Sequence, residues 1–84
     1  MEKRLALVGI VVEDLDATEK INHILHEYGD SIIGRMGLPY RDRGVSIISV
    51  VMDAPNEVIS SLSGKLGMLK DVNVKTVYQK AGQE

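Results

Sequence analysis

The stretch SIIGRMGLPYRDRGVSIISVVMD, Ser31 to Asp53, decides the fold. It holds two runs of strand-forming residues with no helical pattern between them. Ser31 to Leu38 reads as one strand and Gly44 to Asp53, β-branched almost throughout, as the next. Pro39 to Arg43 is the link, rich in the residue types that turns use. Two consecutive strands in mid-chain predict a hairpin, and what flanks it fixes the architecture.

Upstream, KRLALVGIVV (Lys3 to Val12) is an apolar run too dense for a half-exposed strand, so it reads as a central strand. After it, Ala17, Ile21, Ile24, Leu25 and Tyr28 recur at helical spacing. Asp16 and Glu19 stand at capping-box spacing and Gly29 suits the position past the end, predicting a helix over 16–28. Downstream, Pro55 suits a first helical turn. Val58, Ile59, Leu62, Leu66 and Leu69 make a second stripe, with Gly67 as the expected end. Val72, Val74, Thr76 and Tyr78 then alternate with Asn73, Lys75, Val77 and Gln79, a strand with one wetter face. The order βαββαβ predicts one domain over residues 1–84, an α+β ferredoxin-like sandwich. Its antiparallel sheet has strand order 4-1-3-2 and both helices on one face.

That layout has a consequence for assembly. Both central strands are apolar on both faces. On the first, Leu5, Leu7 and Val11 alternate with Ala6, Val8, Ile10 and Val12; on the third, Val45, Ile47 and Val51 alternate with Ile48, Val50 and Met52. One set has nothing to pack on within a monomer, and an exposed apolar patch marks an interface. A homo-oligomer, dimer or tetramer, is expected, with sheet faces stacked or sheet edges joined. Expected interface residues are Gly34, Gly37, Val45, Ile47, Ile48, Ser60 and Gly64.

Composition narrows the function. The 84 residues are 44% hydrophobic and 26% charged, with no Cys, Phe or Trp, so the core must be aliphatic. Lacking Cys, the chain offers no thiolate metal site, iron–sulfur ligation or thiol nucleophile. The net charge of −2 and interspersed signs do not make the basic stripe of a nucleic-acid binder, so direct nucleic-acid binding is not expected. No segment reaches membrane-span length, and the short N-terminal apolar run ends in acid with no small-residue cleavage site after it; a cytoplasmic protein is expected.

Several residues merit a chemical reading. Arg35, Arg41 and Arg43 carry bidentate donors for a carboxylate or phosphate, and Tyr40 offers a ring to stack on. The simpler reading of the same stretch is a plain hairpin, with Gly34 and Gly37 allowing a bulge; a subunit contact is a further alternative. His23 and His26, three apart, are weak metal-ligand candidates. They fall away from the apolar stripe, as residues of a solvated helix face do. Ser60, Gly64 and Gly67 form a small-residue stripe on the second helix, suited to close approach by another chain. No nucleophile stands beside a base, no cofactor is called for, and the chain is not expected to be an enzyme.

The phrases LALVGIVVED, EYGDSIIGRMGLPYRDRGVSIISVVMDAP and ISSLSGKLGMLKDV together resemble the small regulators of the iron-only ([FeFe]) hydrogenase system, over nearly the whole chain. The resemblance implies an ACT-like domain and a regulatory or sensory role near the expression or assembly of that hydrogenase. It implies a small-molecule effector or hydrogenase-system proteins as partners. A non-ligand adaptor for maturation proteins is the alternative. The implied fold is also similar to the C-terminal nickel-sensing domain of NikR-type repressors. The stretch corresponding to their His-x-His is Met36-Gly37-Leu38-Pro39-Tyr40, so that nickel site does not carry over.

Overall fold

Strand and helix patterns meet in the computed structural model, which describes residues 2–80. The elements are β1 Arg4–Val12, α1 Thr18–Glu27, β2 Ile32–Tyr40, β3 Val45–Ala54, α2 Asn56–Gly67 and β4 Val72–Tyr78. All neighbouring strands are antiparallel, in the order β2-β3-β1-β4. This is the expected order read from the opposite edge.

Alternation along the two central strands builds the core. Ala6, Val8, Ile10 and Val12 of β1 and Ile48, Val50, Met52 and Ala54 of β3 are all buried. They share one cluster with Ile21 and Leu25 of α1 and with Ile59, Leu62 and Leu66 of α2. Both helices therefore cover the same sheet face, and the core is wholly aliphatic. No buried side-chain polar atom lacks a partner among the described residues.

Local chemistry moves three boundaries. Asp14, not Asp16, does the capping: its backbone is extended (φ −109°) and its Oδ1 accepts from the Asp16 N–H at 3.0 Å. Asp16 already lies in a short 3-10 turn, Leu15–Ala17, from which α1 continues. Pro39 does not end β2, which runs on to Tyr40 with Pro39 opposite Ser46. An edge strand tolerates proline because a missing N–H on the free side costs no ladder bond. The register slips between Ile32 and Gly34, leaving Ile33 as the extra residue of a bulge.

Gly44 closes the hairpin after the turn Arg41–Arg43, at φ 66°. A side chain is strained in that left-handed conformation. Gly44→Ala is expected to lower stability by about 1–2 kcal/mol, read as a lower urea midpoint with unchanged slope.

Candidate functional site

The sheet face away from the helices is the most unusual surface of the molecule. Register places its residues in rows. Gly34, Val51, Leu7 and Val77 form one row across the four strands, and Leu38, Ile47, Val11 and Asn73 form another. Between them lies Met36, Ser49, Gly9 and Lys75. Two apolar ridges thus flank a trough floored by Ser49 and Gly9. Tyr40 and Val45 extend the face at the hairpin end, and Leu5 and Asp53 at the other.

This face is open. Leu7 is 45% exposed, Leu38 61%, Met36 69% and Val77 66%. Its charged residues, Lys75 and Asp53, sit at the β4 edge and at one end, Asn73 joins Lys75 at that edge, and Ser49 is the polar residue of the middle, flanked on both sides by apolar rows. A shallow depression of about 250 Å³ is lined by Leu5, Leu7, Val51 and Val77 with neighbouring backbone.

The expected interface residues divide between surfaces. Gly34, Val45 and Ile47 lie on the open face, and Gly37 lies on the exposed helix side of β2. Ile48 does not belong with them: it pairs with Ile10, on the helix side, and is buried in the core. In the run Ile47–Ile48 the odd-numbered residue faces out, and two adjacent isoleucines give no sequence signal of which. Ser60 and Gly64 are exposed on the outer side of α2, and a Cβ added at Gly64 would meet nothing within 4 Å.

The expected ligand residues are not gathered. Arg35 stands opposite Val50, on the helix side, where its guanidinium donates to Asn22 Oδ1 at 2.7 Å. Tyr40 stands opposite Val45, on the open face. Strand alternation puts residues five apart on opposite faces. Arg41 and Arg43 are exposed in the turn, either side of Asp42. Arg35→Ala removes an exposed hydrogen bond, so it should cost at most about 1 kcal/mol, read by chemical denaturation. A larger loss would reveal a second partner for this side chain.

On the helix layer, a groove of about 510 Å³ is lined by Glu19, Lys20, His23, Ile24 and Leu69. Leu69, from the turn after α2, and Ile24 of α1 line it together, and both pack against the core. His23 Nε2 lies 4.0 Å from Glu27 Oε2, a loose exposed pair. No group of three or more His, Cys, Asp or Glu residues among those described is placed to hold a metal. Nearby, Tyr28 Oη lies 2.6 Å from Ser61 Oγ, and Lys65 Nζ donates to Glu27 Oε1 at 3.5 Å. The Tyr28 hydroxyl, and then the Glu27 carboxylate, hold the Lys65 pKa above the usual lysine value. These contacts tie α1 to α2 and account for the polar residues along that seam.

With the geometry in place, comparison gives the relatives. No curated protein matches the chain. Protein TM1266 from Thermotoga maritima, described as uncharacterized, is 40% identical with a TM-score of 0.89, covering 94% of this chain and all of that one. More distant structures share the fold alone. A protein described as PII-like from Thermus thermophilus has a TM-score of 0.60 at 18% identity, covering 98% of this chain and 96% of that one. CPII, a nitrogen regulatory PII-like protein from Thiomonas intermedia solved with ADP, AMP and bicarbonate, has 0.52 at 15%, covering 95% and 100%. No helix of the described residues is long and apolar enough to cross a membrane. The model of the TM1266-like family, whose description reads "Iron-only hydrogenase system regulator, putative", matches residues 4–76, and the chain belongs to that family.

Proposed function

We propose that this chain is an oligomeric regulatory module of the iron-only hydrogenase system. Its open sheet face packs on a second copy, and an effector or partner protein binds where the copies meet. The observation that carries this reading is the open face itself, four strands wide with apolar side chains exposed across β2, β3 and β1. A lone soluble domain rarely leaves such a patch uncovered. Family membership supports the regulatory role, and the PII-like neighbours supply the precedent of signalling on this fold. The module acts by binding rather than catalysis: among the described residues the hydroxyl beside a basic group is Ser61, next to Tyr28 and Lys65, and it lies on the exposed seam between the helices.

The adaptor reading, with no small ligand, has one observation in its favour: Arg35 and Tyr40 face opposite ways, so the hairpin does not converge on a guest. Native mass spectrometry of the protein as purified separates the two. An oligomer with a retained non-protein mass supports the sensory module, and a bare oligomer favours the adaptor. Isothermal titration with ADP and AMP, the nucleotides held by CPII, is the first ligand test; saturable heat supports an adenine-nucleotide sensor, and none removes that ligand class.

A further inference from the structure

We infer that the free edge of β2 pairs antiparallel with β2 of a second copy, the two strands crossing at Gly37. This deepens the oligomeric reading above and rests on it.

The two edges of the sheet differ. β4 carries Asn73 and Lys75 on its open-face side, and its other side is tied to α2 through Thr76 and Ser63, whose hydroxyls lie 2.8 Å apart. A charged edge resists pairing with another chain. β2 carries no charge on its open face, although its helix side is tied to α1 through Arg35 and Asn22, and the Ile33 bulge and Pro39 confine the edge available for pairing. Every residue from Ile33 to Tyr40 is exposed, and the open-face positions are Gly34, Met36, Leu38 and Tyr40. An exposed, apolar edge strand is a template for a further strand.

Pro39 fixes which main-chain groups are free. Proline fits inside a ladder where its absent N–H would have pointed to the unpaired side. Hydrogen bonding alternates residue by residue in an antiparallel pair. Gly34, Met36, Leu38 and Tyr40 therefore bond to β3, while Arg35, Gly37 and Pro39 turn their main-chain groups to the free edge. The regular stretch is bounded by the bulge at Ile33 and by the turn that begins at Arg41. Its midpoint is Gly37. Self-pairing over the whole stretch puts Gly37 opposite Gly37, Met36 opposite Leu38, Arg35 opposite Pro39 and Gly34 opposite Tyr40.

The stretch is complementary to itself in that register. Each Gly37 N–H meets the Gly37 carbonyl of the other copy, and each Arg35 N–H meets a Pro39 carbonyl, which proline still supplies. Methionine packs on leucine, and the tyrosine ring lies over a glycine with open space above it; a Cβ built at Gly34 meets nothing within 4 Å. Past each end, the turn bearing Arg41 and Arg43 runs beside the Gly29–Ser31 turn of the second copy, which bears Asp30. The pairing also joins the two open faces into one apolar surface, so that two such pairs stacked face to face make a tetramer.

The chain has no cysteine, so introduced thiols are its only ones. Residues opposite each other without mutual hydrogen bonds have Cα atoms about 4.5 Å apart, within disulfide range. M36C and L38C, unfolded together in urea, refolded as a mixture and mildly oxidised, should give a covalent dimer on a non-reducing gel. Each variant alone should remain uncross-linked. Cross-linking of M36C by itself would overturn the register, because it places the crossing at Met36. A mixture that sediments as an oligomer yet does not cross-link would overturn the edge pairing and leave the face-packed oligomer standing. A mixture that sediments as monomers would overturn both.

Discussion

Leu7→Glu is expected to separate the proposed oligomer into folded monomers. Leu7 lies on a central strand, between Val51 and Val77, in one of the two ridges of the open face. Its side chain is 45% exposed in the single chain, so the substitution opens no cavity in the core. Intrinsic strand preference spans about 1 kcal/mol, and the half of the Leu7 side chain already buried within the single chain adds about 1 kcal/mol more to the loss of monomer stability. At a packed interface the cost is far larger. With Leu7 45% exposed in the single chain, each copy forfeits the interface share of leucine burial, about 0.7–1.4 kcal/mol, and leaves a carboxylate in an apolar surface, which costs several kcal/mol more. A symmetric contact counts the change on both sides. The dissociation constant should rise by a factor of about a thousand or more. Size-exclusion chromatography with light scattering reads the mass, and circular dichroism shows the fold retained. An unchanged mass would remove Leu7, and the ridge it belongs to, from the interface.

Leu62→Ala has the second large effect, on the fold itself. Leu62 is fully buried at the centre of α2, and the core around it contains only aliphatic residues and Met. The rings packed against this cluster, Tyr28 and Tyr78, are only partly buried, and their hydroxyls lie against Ser61 and Ser60. Deleting a buried leucine to alanine costs about 2–5 kcal/mol. Small domains have total stabilities of about 5–15 kcal/mol, so this one change removes a large share. A melting temperature lower by at least about 8 °C is expected, since each kcal/mol shifts a domain of this size by about 4–8 °C. A loss under about 1 kcal/mol would mean that the helix layer repacks freely, contrary to the described core.

These two residues show what the sequence pattern could and could not convey. The 3.6-residue stripe in α2 identifies Leu62 as core with no structure at hand, because a helix buries one side. The strand order follows from βαββαβ and short connections. That one face of β1 and β3 must be left uncovered also follows, since two helices cover only one face. Which face is open is harder to read, because both residue sets are aliphatic. Tertiary register decides it, through the side on which α1 and α2 land. Ile48 went to the core side for that reason. The capping shift from Asp16 to Asp14 is a contest between two acids two residues apart, won by the one whose backbone is extended. Pro39 reads as a strand terminator until the strand is known to be an edge. The hairpin cluster of Arg35, Tyr40, Arg41 and Arg43 is contiguous in sequence and divided in space, because a strand deals successive residues to opposite faces. The helical stripe marks Leu69 as apolar packing, but that it lines a groove with Glu19, Lys20, His23 and Ile24 follows from how the two helices sit side by side, which no local pattern conveys.

Sedimentation equilibrium of the wild-type protein at several micromolar concentrations tests the central claim most directly. The chain mass is 9.2 kDa. A fitted mass at an even multiple of that value, held on dilution, is the result that an open apolar sheet face covered by a second copy predicts. A mass equal to the single chain at every concentration would contradict it, and the exposed rows of Leu7, Ile47 and Leu38 would then be a surface that water alone covers.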